Sequence, residues 1–237
     1  MSSWCAKIIR IIALVSSVVV FLNYFSIFSY ATEDRVRVIY SSANENEKRI
    51  AITFDDGPHP YYTPKVLDIL KREGILATFF VVGENVRSYP ELVDRAISEG
   101  HEIGNHTNHH TFLSGLSNDE VRQAIDGCDD EIYHHDEYST RLLRPPGGNY
   151  DSNVLRVCAS RGYSVVLWSI DTRDWAGTSA SDMEKNVLEN IKDGDIILMH
   201  DYIGKRSHTL EALERIIPKL KVRGYRFVTV SELIDGE

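Results

Sequence analysis

Ile50-Ala51-Ile52-Thr53-Phe54-Asp55-Asp56-Gly57-Pro58 closes an apolar run with two adjacent carboxylates and a Gly-Pro turn. Such a segment reads as a buried strand opening into a loop. Aspartate is poor inside a strand and costly to bury alone. Two aspartates at a strand's end therefore need a metal, a cationic partner or a shared proton. Neighbouring side chains on a strand point to opposite faces. At the strand-to-loop transition both can converge on one mouth, one holding a metal while the other works as a base.

Outward from this stretch the same pattern repeats. Short apolar runs occur at 50–54, 77–82, 102–105, 141–144, 163–169, 195–199 and 225–230. Helical patterns between them stop at Gly74, Gly100, Gly162 and Gly194. Ser117 with Glu120 and Ser181 with Glu184 read as capping boxes, and Asp151 as an N-cap. Thr209 starts the last long helix, which Pro218 kinks or divides. Seven strands alternating with helices predict a parallel sheet that closes, or nearly closes, a barrel. Functional loops of such barrels follow the C-terminal strand ends. The polar clusters fall there: Asp55 and Asp56, His106 and His110, Arg144, Asp171 and Asp174, and His200. Their convergence on one cleft is the main inference the pattern allows.

The 237 residues fit one domain, and the net charge of −9 argues against nucleic acid or anionic lipid as the main partner. Lys7 and Arg10 precede an uncharged run from Ile11 to Thr32, with small residues at Ser29 and Ala31. Residues 1–31 are expected to be a secretory signal peptide cleaved after Ala31, or else a retained membrane anchor. Either places the rest outside the cytoplasm. Residues 32–48 read as a linker with one short strand at Val36 to Tyr40, and 49–237 as the catalytic domain. Cys128 and Cys158 fall at apolar helix positions and read as buried thiols; a disulfide between them stays open.

His106 and His110 at i and i+4 would share a face in a helical turn and, with Asp56, grip one ion. Two histidines and a carboxylate suit Zn2+, with Fe, Co2+, Ni2+ or Mn2+ also possible. The alternative is a polar loop rich in His, Asn and Thr. His134 and His135 read as a solvated helix end; His59, His101 and His208 read as loop histidines, with His59 and His208 also candidates to line the cleft. Leu143 to Tyr150 (LRPPGGNY) is a rigid loop whose glycines let backbone N–H groups approach a ligand. Arg144 there could pair with an inward carboxylate. Trp168 reads as core and Trp175 as a wall of the cleft.

In this order the pieces resemble the polysaccharide deacetylases with the NodB homology domain, carbohydrate esterase family 4. Thr53 to Pro58 (TFDDGP) matches the first motif, and His106-Thr107-Asn108-His109-His110 matches H-[ST]-x-x-H. Arg144-Pro145-Pro146-Gly147-Gly148 matches R-P-P-x-G, Asp171 to Trp175 (DTRDW) resembles D-x-x-D-W, and Leu198-Met199-His200 matches L-x-H. The resemblance implies a single-domain α/β fold, a distorted (β/α)7 barrel of the glycoside hydrolase/deacetylase type. It implies a divalent metal, in the first place Zn2+, on Asp56, His106 and His110. It implies Asp55 as general base, Arg144 as its orienter, and His200 as general acid tuned by Asp174. Gly147 would supply an oxyanion N–H, and Trp175 and Tyr150 would meet substrate. The third motif often has Tyr where Gly147 stands, so the missing ring is expected to widen the cleft.

The expected activity is hydrolysis of N-acetyl groups on amino sugars of a polysaccharide, peptidoglycan or chitin-like oligomers, with metal-activated water as nucleophile. The alternatives are an O-acetyl esterase acting on a polysaccharide such as xylan, or a non-catalytic glycan-binding module. A glycan is the expected partner, with no nucleic acid, a monomeric state, and a location outside the cell or on the outer membrane face.

Overall fold

A computed structural model describes residues 36–42, 47–135, 137–201 and 208–235. The leader or anchor expected at 1–31 lies outside the described residues, as does part of the linker. No helix among the described residues is long and apolar enough to cross a membrane.

The strand Arg49–Asp55 (β2 below) is buried along its whole length and pairs on both sides. Its alternate residues separate the two halves of the core. Ile50, Ile52 and Phe54 join the larger apolar cluster with the helices. Ala51 joins a second cluster with Phe80, Leu142, Val166 and Ile196 inside the curled sheet. The period of two then puts Asp55 on the inner face with Ala51 and Thr53, at the C-terminal rim.

In chain order the strands are β1 (Val38–Ile39), β2 (Arg49–Asp55), β3 (Thr78–Val81), β4 (Glu102–Asn105), β5 (Leu142–Leu143), β6 (Ser164–Val166), β7 (Ile170–Asp171), β8 (Ile196–His200) and β9 (Arg226–Phe227). All their pairings are parallel, in the order β1-β6-β5-β4-β3-β2-β8-β7, with β9 on the start of β2. The path itself forces curvature. β6 and β7 stand six places apart in this order. A flat sheet would separate them by about 29 Å. The link from Val166 to Ile170 reaches at most about 14 Å. The sheet must therefore roll up, and Ser42 closes it further by donating its N–H to the Gly194 carbonyl at 2.8 Å.

The helices are α1 (Thr63–Glu73), α2 (Gly83–Ser88), α3 (Pro90–Ser98), α4 (Asn118–Tyr133), α5 (Ser152–Arg161), α6 (Ala180–Asn190), α7 (Thr209–Val222) and α8 (Val230–Asp235). The expected local signals recur. Gly74 caps α1 in the left-handed region, where a Cβ is penalised. Ser117 and Glu120 form the reciprocal box of α4, and Asp151 accepts from Asn153 and Val154 to start α5. The box expected at Ser181 and Glu184 is displaced: Ser179 caps α6, accepting from the Asp182 N–H. Pro218 lies inside α7 without ending it. The run 163–169 is shorter than expected as a strand; the chain turns out at Leu167 and resumes as β7.

Cys128 and Cys158 are free, buried thiols, in different apolar clusters. His135 is a correction. It is buried, with Nδ1 2.6 Å from Asp94 Oδ1, because α3 packs a carboxylate against the end of α4 that the sequence spacing does not reveal. His101 is likewise buried; its Nδ1 accepts from the Ala77 N–H, and burial lowers its pKa to about 4.

Candidate active site

The C-terminal strand ends place Asp55 and His200 directly opposite each other in the β2–β8 register. Asp56 follows with φ of 75°, His110 has φ of 51° and Thr107 69°. Strained backbone of this kind persists only where its surroundings hold it. The histidine pair does not sit on a helical turn as expected. The Thr111 N–H bonds the Thr107 hydroxyl at 2.8 Å, and the Thr107 carbonyl receives the Gly83 N–H. The side chain of Asn105 accepts from the Thr107 N–H and donates to Ile125 O and Asp129 Oδ1. Side chains, not a helix, thus aim both imidazoles inward.

Nε2 of His106 lies 3.3 Å and Nε2 of His110 3.2 Å from Asp56 Oδ1. Nδ1 of His106 meets the Arg144 carbonyl at 2.6 Å. A histidine donating from Nδ1 keeps Nε2 as a lone pair. Among the described residues, Oδ1 of Asp56 is buried without a hydrogen-bond partner. One donor atom from each of the three residues falls within 4.8 Å of the others. A tetrahedral ion with bonds of about 2.0–2.1 Å separates its ligand atoms by about 3.3–3.4 Å. The trio fits a divalent cation by donor type, spacing and orphaned oxygen.

Beside it Arg144 is completely buried. Its Nη1 donates to Asp55 Oδ1 and Thr53 Oγ1, each at 2.7 Å, and Nε and Nη2 donate to the carbonyls of Val166 and Leu167. The guanidinium lies over the Phe80 ring at 4.1 Å. Across the opening, Nδ1 of His200 is 2.8 Å from Asp174 Oδ1. Asp174 is buried and also accepts from the Trp175 and His200 N–H groups and the Thr209 hydroxyl. Burial disfavours charge on His200, yet the bond to Asp174 and the charges of Asp174, Asp55 and Asp56 prevail and raise it to about 9.

A cavity of about 360 Å³ joins these groups: Asp55, Asp56, His106, His110 and His200, with Phe112, Gly147, Trp168, Asp171, Trp175 and Leu198 around them. Five strand ends therefore do converge. A family profile described as polysaccharide deacetylase matches residues 42–166. The chain belongs to the polysaccharide deacetylase family.

This deacetylase is 47% identical over 192 residues to a peptidoglycan-N-acetylglucosamine deacetylase of Bacillus cereus, covering 80% of this chain and 89% of that one. A crystal structure of the Bc1960 peptidoglycan N-acetylglucosamine deacetylase, bound to a benzamide compound, superimposes with a TM-score of 0.79 at 39% identity over 84% of this chain and 92% of that one. A family 4 acetyl xylan esterase from Clostridium thermocellum, in complex with cobalt, gives 0.72 at 35% identity, covering 78% and 89%. The fold is the family's (β/α)7 arrangement, and the family is metal-dependent.

Sequence reasoning left several residues unplaced. Trp168, expected in the core, packs against it and also lines the cavity of the deacetylase. Phe112 was not singled out; its place two residues after His110, beside Leu113, was its only signal. Thr53, read only as part of the first motif, and Thr209, read only as a helix start, are partners of Arg144 and Asp174. Tyr150 lies apart from this cavity lining, its hydroxyl 3.4 Å from that of Tyr40. His59 also lies away from it, its Nδ1 accepting from the Tyr61 N–H.

Proposed function

We propose that this chain is exported and removes N-acetyl groups from the glucosamine residues of peptidoglycan. The observation that carries this reading is the meeting of Asp55, the Asp56–His106–His110 trio and the Asp174-bound His200 on one cavity. Its relation to the Bacillus cereus deacetylase supports the glycan and the cell-wall location. The signal peptide or membrane anchor read at 1–31 fits export, and 49–237 forms the catalytic domain.

Asp56, His106 and His110 would hold the cation, with Zn2+ the natural choice for two imidazoles and a carboxylate. Bound there, it supplies Lewis acidity that makes a water nucleophilic at neutral pH and polarises the acetyl carbonyl. Asp55, fixed by the Arg144 guanidinium, takes the proton of the attacking water. The Gly147 N–H faces the developing oxyanion. An amine leaves poorly until protonated, so His200 delivers a proton to the nitrogen as the C–N bond breaks. Asp174 keeps His200 charged for that step. The products are acetate and a free amino sugar.

A second reading, O-acetyl ester hydrolysis on xylan, is favoured by the likeness to the Clostridium thermocellum esterase. Acetate release should be measured from peptidoglycan, chitin oligomers and O-acetylated xylan, with and without a chelator. Chelator-sensitive release from peptidoglycan is expected. Release from xylan alone would establish the esterase, and no release from any glycan by metal-loaded protein would leave a binding module.

A further inference from the structure

We propose that Phe112 is the sugar platform of this site, a specificity-determining residue; the inference rests on the deacetylase reading above. Phe112 is 58% exposed although it lines the cavity. It is held in place from beneath. The ring packs edge-on to His110, with centroids 5.7 Å apart and planes at 76°. It also covers the backbone of Gly147: a Cβ added there would lie 2.9 Å from Phe112 Cε1. Gly147 adopts φ of 65°, where glycine is favoured. A side chain at 147 and the ring of Phe112 therefore compete for one space, and this chain fills it from the loop after β4. Trp175, 55% exposed, lines the same cavity from the loop after β7. β4 and β7 stand four places apart in the strand order of the rolled sheet, so the two rings rise from opposite walls. A pyranose ring carries an apolar C–H face and a polar rim. Two exposed aromatic faces across a catalytic mouth match that face, while His200 and Asp171 serve the rim.

The test compares wild type with Phe112→Ala and Phe112→Trp on a chitin tetramer and on 4-nitrophenyl acetate, which has no sugar. Burying a phenylalanine side chain accounts for about tenfold or more in binding. In Phe112→Ala the ratio of kcat/KM for tetramer to kcat/KM for ester should fall about tenfold through KM, and Phe112→Trp should restore it. If Phe112 only props His110, both substrates slow equally and the ratio stays fixed, which overturns the proposal. Calorimetric binding of the tetramer to metal-free protein should weaken by the same factor in Phe112→Ala. That measurement separates the two levels. Tetramer binding that depends on Phe112 without any acetate release would overturn the deacetylase reading and leave the platform standing. Unchanged binding with normal release would do the reverse.

Discussion

Arg144 serves His106 and Asp55 with opposite ends of one residue. Its carbonyl receives His106 Nδ1 at 2.6 Å, and its guanidinium holds Asp55 at 2.7 Å. The ligand tautomer and the base are thus tied to the same few atoms of the loop after β5. Burial works against the charge of Arg144 and Asp55 sustains it. Removing the guanidinium leaves Asp55 buried without its cation. Arg144→Met is expected to cost about 3–5 kcal/mol of stability, read from urea unfolding, together with nearly all turnover. A variant as stable as wild type would show that the pair is not coupled to the fold.

Asp55 and Asp56 are neighbours with separate tasks. Asp56 faces both imidazoles, whereas Asp55 Oδ2 stands 3.8 Å from His106 Nε2 and its Oδ1 belongs to Arg144. Asp55→Asn should therefore keep the metal and lose at least about 10²–10⁴ in kcat. His110→Ala should lose the metal itself. Metal content after dialysis, set beside acetate release, checks both. Metal loss in Asp55→Asn would mean that the roles of base and ligand are misassigned.

The strand-end clusters were legible because a carboxylate or histidine closing an apolar run violates the local pattern, and such violations collect at sites. Asp55, His106 and His200 were found this way, Arg144 as a cation ending such a run and Asp174 just beyond one. What escaped depended on contacts between distant segments. The His106–His110 spacing suggested a helix, but the Thr107 hydroxyl took the Thr111 N–H that a helix needs. Ser179 and Ser181 are both good caps, and the sequence does not rank them; Asp182 at the third helical position settled the start of α6. Phe112 carries no periodic signal, since its use comes from a glycine 35 positions later in the chain.

His200 must be charged to protonate the leaving nitrogen. With its pKa raised to about 9, it stays charged across neutral pH. The kcat profile should hold to about pH 9 and fall above it. Asp174→Asn removes the partner and leaves burial, which pulls the histidine down, so the alkaline limb should move toward or below 6.5. The same pair stabilises the fold below the unfolded pKa of about 6.5, and that contribution is lost as pH rises through about 9. A kcat–pH series on both proteins decides this; an alkaline limb that does not move in Asp174→Asn removes His200 as the acid.

Asp201, next along the chain, behaves in the opposite sense. It is buried beside the Gly57 backbone, where a Cβ would meet its Oδ1 at 2.3 Å. The Thr63 hydroxyl donates to Oδ2, and among the described residues Oδ1 has no partner. Burial pushes the carboxyl up to about 7, against the Thr63 bond and with the charge of Asp56 adding to it. An unfolded chain gives up this proton near pH 4, the folded one near 7. Stability therefore falls as pH rises between those values and levels off above. Asp201→Asn keeps the shape and removes the titration. It should match wild type near pH 4 and gain on it with rising pH, by up to about 4 kcal/mol at pH 8. Urea unfolding of both proteins from pH 4 to 8 gives the difference directly. A difference that does not change with pH would mean that the carboxyl is ionised in the fold with a partner that satisfies it.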